Sequence, residues 1–379
     1  MLSSSPLSLP LPANQLFVWV LAPYLESSDD NINYYYDFSQ SIDEYTRTFE
    51  SLGVAWKWQP VTMNDYASVI NNIINENESD SRTHIVFNIC DGDEVNGTPG
   101  ISVVRLLEAS GLIYTGSDEY FYEITTSKIP MKNAFDQAGV PTPDWEAIHS
   151  RTQNLKGITE KLGVPLIVKP SVSGGSMGVG IRNVVSSESE MNEQVQQMFD
   201  GYRGWQLTSD GIIAESFING PEYTVLIVGS YDEPETARVY EPVERIFHPS
   251  LPDKEKFLSF DRLWEIYEEE TEMPEQGNFY EYQVPDAALV EQIKKISWDA
   301  YVATKGTGYT RADVRMDKDS KKMYVLEVNA QCGLSEDENY TSIGAILRLS
   351  DNSFSDLVVA IIHDAYQRKR VANSCKSPA

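Results

Sequence analysis

The stretch PLIVKPSVSGGSMGVGIRN, residues 165–183, decides the reading of this chain. It joins an apolar segment carrying Lys169 to a second extended segment through a loop that holds Gly174, Gly175, Gly178 and Gly180. A glycine-rich loop lets backbone N–H groups approach a phosphate closely, and a lysine on the preceding strand adds a fixed cation. No Gly-Lys-Ser/Thr closes the loop, as a P-loop requires. A strand rather than a helix follows it, which also excludes the dinucleotide fingerprint. What remains is a glycine flap between two antiparallel strands. Standing alone, the segment reads equally as an ordinary mobile hairpin.

It does not stand alone. In TRADVRM, Arg311 and Asp313 are two residues apart and share one face of a strand. Glu327 and Asn329 do the same in KMYVLEVNA. Both strands are otherwise apolar enough to be buried, and a buried carboxylate is costly unless paired or metal-bound. Asp313, Glu327 and Asn329 beside a phosphate-binding flap make an oxygen-ligand set suited to Mg²⁺. The alternative is a structural Arg311–Asp313–Glu327 ion network, in which Asn329 has no part.

Composition bounds the rest. A chain of 379 residues is expected to hold two or three domains, and 41% apolar with 23% charged residues supports packed cores. Thirty Lys and Arg against 57 Asp and Glu give a formal charge of −27. Such a surface repels phosphate backbones and anionic lipid, so neither nucleic acid nor membrane is the expected partner. Cys90, Cys332 and Cys375 show no zinc-site spacing, and an odd count points to a reducing compartment. No apolar run approaches the ~20 residues of a membrane span. The opening MLSSSPLSLPLP has no basic residue before its apolar part and is broken by prolines, unlike a signal peptide. The expectation is a soluble, cytoplasmic protein.

Along the chain, the first third alternates strands and helices, which implies an α/β fold with a parallel sheet. QLFVWVLAPYL, HIVFNIC and GLIYTGS read as strands. Ser41 and Glu44 make a capping box for a helix stopped by Gly53, and Thr98-Pro99 opens another that ends at Gly111. The organisation expected is an N-terminal α/β domain (1–120), a central part with the flap (121–205), a C-terminal part with the metal and anion site (206–370), and a flexible tail (371–379). The later parts read as α+β. Residues 230–285 read as a long acidic and aromatic excursion, within which EIYEEETEMPEQ reads as a solvated acidic loop.

The order of these segments resembles the ATP-grasp superfamily, and within it the D-alanine–D-alanine ligase branch. The resemblance rests on Lys128 before a helix, PLIVKP with its flap, AESFINGPEYTV, RADV and LEVNAQCG, and runs from about residue 84 to residue 365. FNICDGDEVNGTPG and GLIYTGS are similar to that branch as well. The resemblance implies a three-domain architecture, an N-terminal parallel-sheet domain followed by two domains that clasp ATP. It places Lys128 and Lys169 on the nucleotide phosphates, under a flap that includes Gly174, Gly175, Ser176 and Met177. Glu215, Ser216, Phe217 and Ile218 would line the adenine, with backbone contacts at Ser216 and Ile218, and Glu222 would hold the ribose. Lys256 would lie near the γ-phosphate. Two Mg²⁺ ions would sit on Asp313, Glu327 and Asn329, and Arg311 with the Gly333 N–H would stabilise an oxyanion. The implied chemistry joins a small-molecule carboxylate to an amine through an acylphosphate, releasing ADP and phosphate. A non-amine nucleophile, or a nucleotide-binding protein without catalysis, are the competing readings. A homodimer is a further expectation from the resemblance.

Departures from the pattern bear on the substrate. The dipeptide-forming ligases carry His-Gly where this chain has Asp91-Gly92, and their flap serine aligns with Gly175, with the tyrosine of the same element near Phe257. Their serine-rich acceptor turn is here LSEDENY, where Ser335 is followed by Glu336, Asp337 and Glu338. Negative charge there repels a carboxylate and attracts a cation. The expectation is an amine or cationic acceptor bound by Asp91, Asp93, Glu94, Glu336 and Glu338, rather than D-alanine. The plain alternative is that these carboxylates face solvent. Cys332 beside Gly333 invites a nucleophile reading, but none of the four histidines is near it in sequence, so a packed cysteine is expected. Tyr24, Glu26 and the tyrosines at 34–36 are candidates for the acyl-substrate side, as lid or as core.

Overall fold

The computed structural model describes residues 7–25, 37–201, 204–263, 278–337, 339 and 341–376. Glu26, the tyrosines at 34–36, Glu338 and the EIYEEETEMPEQ run lie outside them, as does the end of the tail.

The described residues form three sheets. Strands β1 (Leu16–Pro23), β2 (Ala55–Val61), β3 (Thr83–Asn88) and β4 (Ile113–Tyr114) form a parallel sheet in the order β2-β1-β3-β4. Helices α1 (Ser39–Leu52), α2 (Tyr66–Ser79) and α3 (Ile101–Ser110) connect them. The second sheet, β5-β8-β6-β7, is antiparallel and uses β5 (Trp145–Ile148), β6 (Leu166–Pro170), β7 (Val184–Val185) and β8 (Ile212–Ser216). The third and largest is also antiparallel. It runs β12-β11-β9-β13-β14, with β10 (Arg238–Val239) paired to β9. Its other strands are β9 (Glu222–Val228), β11 (Val243–Phe247), β12 (Tyr280–Gln283), β13 (Tyr309–Met316) and β14 (Met323–Ala330).

The flap does join two antiparallel strands, β6 and β7. Several other expectations are corrected. Helix α1 begins at Ser39, two residues before the expected cap, because the Asp37 carboxylate accepts from the Ser39 N–H at 2.9 Å. Glu44 is therefore free of capping and is buried. Gly53 ends α1 in the left-handed conformation, as read. Helix α3 begins at Ile101, because Gly100 and not Thr98 caps it. Strand β8, expected to start the third part, pairs between β5 and β6 in the middle sheet. Strand β2 and helix α2 had no sequence signal: β2 is a sheet edge, which tolerates Pro60, and α2 is mostly polar with only Ile70 and Ile73 buried. Part of the acidic excursion is ordered sheet, since β11 and β12 pair with each other at its edge.

Strict alternation on β9 and β13 builds both sides of the large sheet. Tyr223, Val225, Ile227, Ala312 and Val314 face helices α4 (Glu119–Thr126), α5 (Lys128–Ala138) and α6 (Ala287–Ala303), packing on Phe121, Met131 and Ile293. On the opposite face, Leu226, Val228 and Tyr309 join a core with Val18, Val20, Tyr45, Phe49 and Phe87 of the parallel sheet domain. The C-terminal helices α7 (Ser342–Leu349) and α8 (Phe354–Lys376) complete that shared core. The middle sheet has a core of its own, in which Leu166, Val168, Ile212 and Ala214 cover Met191 and Val195 of the helix Glu188–Asp200. Among the described residues no helix is long and apolar enough to cross a membrane.

Candidate nucleotide and acyl-transfer site

The face of the large sheet that is apolar at one end is polar at the other. Register brings the side chains into rows. Tyr282, Arg245, Glu222 and Arg315 lie side by side across β12, β11, β9 and β13. The next row holds Thr224, Asp313 and Glu327, and the one after it Leu226, Arg311 and Asn329. Asp313 is thus the direct neighbour of Glu327, a register that the spacing within each strand does not by itself fix.

Asp313 is the hub. Arg311 donates to its Oδ2 from Nε at 3.1 Å and from Nη2 at 2.9 Å, Asn329 donates to the same oxygen at 3.2 Å, and Thr224 donates to Oδ1 at 3.0 Å. Burial pushes the Asp313 carboxyl up, and Arg311 works against it. Burial acts on Glu327 in the same sense, but Lys128, Lys169 and Arg311 outweigh it and hold the carboxyl down at about 2. Lys128 lies 3.4 Å from Glu327 and donates to Ser173 Oγ at 3.3 Å. Two carboxylates and an amide, all hard donors, fit Mg²⁺ in chemistry. Arg311 and Lys128 compensate their charge in this arrangement. Among the described residues no group of three or more His, Cys, Asp or Glu side chains is gathered to hold a metal ion; the set here has two carboxylates and an amide.

The facing side of the middle sheet carries Lys169 and Glu215, with Lys169 Nζ 2.5 Å from Glu215 Oε1. Next to them Ile167, Val179, Val184, Phe217 and Phe257 form a small apolar cluster. Ile218 is buried beside it; Ser216 turns its hydroxyl to Leu162 O at 2.9 Å and donates its N–H to Asp144 O at 2.9 Å. The flap turns through positive φ at Gly175 and Ser176, and Met177 N–H donates back to Gly174 O. Ser176 Oγ donates to Leu258 O at 3.0 Å and Phe260 N–H to Val179 O at 2.8 Å, so the flap rests on the 257–260 loop.

Other expected residues are placed differently. Glu222 is buried against Arg245, which also donates to Tyr282 OH at 3.0 Å, so a ribose has to displace that pair to reach it. Lys256 Nζ bonds Asp253 at 3.0 Å, alongside Lys318 and Asn219; Asp253, not the Asp313 hub, is its partner. Glu94 caps α3, accepting from the N–H groups of Gly100 (3.1 Å) and Ser102 (2.6 Å) and from Ser102 Oγ. Asp93 accepts from Asn96 N–H and side chain in a local turn. These two carboxylates are engaged in folding their own loop. Glu336 pairs with Arg47 of α1 at the surface. Asp91 alone of the described candidates is both exposed and hydrogen-bonded to no other side chain; crowding by protein raises its carboxyl to about 6, with Asp93 adding to the effect. Cys332 is a packed thiol pushed up by burial to about 12, too weak an acid to be a nucleophile. A Cβ built on Gly333 meets no atom within 4 Å, so the protein leaves open space there. Tyr24 is exposed, its ring 6.1 Å from that of Phe38.

Sequence reasoning missed Arg245, Lys132, Gln331 and the true partner of Glu44. Arg245 lies in the acidic and aromatic excursion, where no motif marks it. Glu44 is buried against the turn that follows Gly333, where Ser335 Oγ donates to it at 2.7 Å.

The paired sheets closing on a lysine- and carboxylate-lined cleft define an ATP-grasp fold. The family model described as D-ala D-ala ligase C-terminus matches residues 134–363. The chain belongs to this family. It is similar to a D-alanine–D-alanine ligase of Pseudomonas fluorescens (strain Pf0-1), 27% identical over 264 residues that span 69% of each chain. To one from Bordetella avium (strain 197N) it is 29% identical over 259 residues, 68% of this chain and 72% of the relative. In structure it resembles the D-alanine–D-alanine ligase of Bacillus anthracis complexed with ATP, with a TM-score of 0.63 at 19% identity over 94% of this chain and 99% of that one.

Proposed function

We propose that this chain is an ATP- and Mg²⁺-dependent carboxylate–amine ligase that forms an amide through an acylphosphate and releases ADP and phosphate. The observation that carries it is the Arg311–Asp313–Asn329–Glu327 constellation on one sheet face, with Lys128 3.4 Å from Glu327. Bound Mg²⁺ would be held by Asp313, Glu327 and Asn329 and would neutralise phosphate charge. Lys128 and Lys169 bind the phosphates from the opposite side, and the flap covers them. A substrate carboxylate attacks the γ-phosphorus, its bond to the ADP oxygen breaks, and the acylphosphate forms. An amine then adds to the acyl carbon, loses its proton, and expels phosphate. Arg311 and the Gly333 N–H stabilise the oxyanion, the larger part of catalysis in such a site being charge placement. Closure of the flap keeps water from the acylphosphate.

The relatives bear the name D-alanine–D-alanine ligase; for this chain we read the acceptor as a cationic amine. Asp91, exposed in the cleft where those ligases have histidine, supports this reading. Glu336 supports it too, because its surface pair with Arg47 is weak and open to exchange. Asp93 and Glu94 are withdrawn from that role by their own loop contacts. The test is mass spectrometry of products from ATP, Mg²⁺ and pooled amino acids and amines, D-alanine included, with ADP and AMP quantified. An amide with ADP is the expected result and names both substrates; AMP overturns the acylphosphate route. D-alanyl-D-alanine as the main product overturns the cationic acceptor, and ADP without amide overturns the amine acceptor.

A further inference from the structure

Lys132 is wholly buried in α5, one helical turn beyond Lys128 and on the same helix face. Its Nζ donates to Thr142 Oγ1 at 2.7 Å, and Thr142 donates in turn to Val325 O of the large sheet at 2.9 Å. The same ammonium lies 2.7 Å from Glu215 Oε2, while Lys169 is 2.5 Å from Glu215 Oε1. One buried carboxylate is held between two lysines.

The charge count explains why two are needed. A lone Lys169–Glu215 pair is neutral and has little attraction left for an anion. Adding Lys132 leaves the trio with one net positive charge, and Lys169, unlike Lys132, keeps some exposure toward the cleft. Burial pushes the Glu215 carboxyl up, but the two lysines outweigh it and hold the group ionised. Burial also weakens Lys132 as a base, against the pull of Glu215, so this lysine is kept at a cost in stability. A merely structural position of this kind is commonly filled as well or better by an apolar side chain.

We propose that Lys132 is a positioning residue for the triphosphate: it neutralises Glu215 so that the charge of Lys169 remains available to phosphate oxygens. The proposal rests on the reading of Lys169 as a phosphate-binding lysine.

The test is calorimetric titration of the full chain with Mg²⁺-ATP and with adenosine, comparing wild type, Lys132→Met and Lys132→Met/Glu215→Gln. The readout is the ratio of the two affinities, which a general loss of structure leaves unchanged. Lys132→Met is expected to lower the ATP-to-adenosine ratio by about tenfold or more, as loss of a charge-assisted contact implies. The double variant removes the carboxylate together with its neutralising lysine and is expected to restore the ratio. Equal weakening of both ligands in the single variant, or an unchanged ratio, overturns the proposal. If Lys132→Met fails to fold, the double variant decides: a ratio like that of wild type supports the proposal, and a tenfold lower one overturns it. A wild-type chain that binds neither ligand overturns the nucleotide reading itself, which is a different outcome from an unchanged ratio.

Discussion

Gln331 donates from its side-chain amide to the Cys90 carbonyl at 2.9 Å, tying the turn that leads to Gly333 to the loop that carries Asp91. Its oxygen accepts from Ser117 Oγ at 2.9 Å and from the Ser117 N–H at 3.2 Å. The residue is buried, with φ at +52°. Gln331→Ala leaves the Cys90 carbonyl and the Ser117 donors without this partner, at roughly 2–3 kcal/mol by the usual cost of orphaned buried groups. Thermal or urea unfolding measures that loss. On the proposed function, turnover is expected to fall further than stability explains, since the Asp91 loop and the Gly333 turn lose the side chain that ties them.

Arg311→Lys keeps the charge but gives up the two-pronged contact with Asp313. Turnover is expected to drop about 10²-fold, in the range typical of oxyanion-stabilising groups, with ATP affinity changed only a few-fold. Single-turnover measurement of amide formation checks this. An equal loss in ATP binding would mean Arg311 serves the nucleotide instead.

Gly333→Ala places a methyl group in open space, so melting should shift by no more than a degree or two, about what a surface substitution gives. Amide formation should nonetheless fall about tenfold, because the methyl occupies the volume next to the oxyanion donor. Unaltered activity would remove Gly333 from the site.

Asp91 provides the pH dependence. Its carboxyl titrates near 6, above the unfolded value, so it is neutral below that pH and charged above it. Preference for a cationic over a neutral amine should therefore rise as pH increases through about 6. Asp91→Asn should flatten that rise. The linkage sign runs the other way for stability: the folded state holds this proton more tightly, so wild type loses stability relative to Asp91→Asn as pH climbs from about 4 to 6. Acceptor competition and melting across this range test both halves.

Glu44 has a raised carboxyl because burial disfavours its charge, and its Oε2 makes no hydrogen bond. Glu44→Gln should stabilise the fold by roughly 1 kcal/mol at neutral pH, within the range for a poorly satisfied buried polar group. The gain should shrink as pH falls through the ordinary carboxylate range, where both forms are neutral. Parallel unfolding at pH 4 and 7 would detect it.

The polar face of the large sheet was legible because a two-residue spacing survives folding: Arg311 with Asp313 and Glu327 with Asn329 could only share a side. The flap was legible because its glycines mark a local conformation. What failed was reading carboxylates one at a time. Glu44, Glu94, Asp93 and Glu222 have partners that no periodic signal marks: Ser335 in a distant turn, the first N–H groups of α3, Asn96 in a local turn, and Arg245 on the neighbouring strand. Lys132 and Arg245 stand in no motif, and only the pairing of strands and helices reveals what they neutralise. Edge strand β2 and the mostly polar α2 were invisible for the opposite reason, since they bury too little to leave a pattern.

The core shared by the parallel sheet and the large sheet has a mechanical consequence. Val18, Phe87, Leu226 and Tyr309 pack in one cluster with α7 and α8, so those two sheets are welded into a single frame. The middle sheet has a core of its own and meets the frame mainly through polar links, the buried Lys132–Glu215 pair and the bonds of Ser127 and Lys128 to Ser171. With its separate core, the sheet bearing Lys169 and the flap is the plate expected to swing, while the frame is the anvil that holds Arg311, Asp313 and Gly333 in one register.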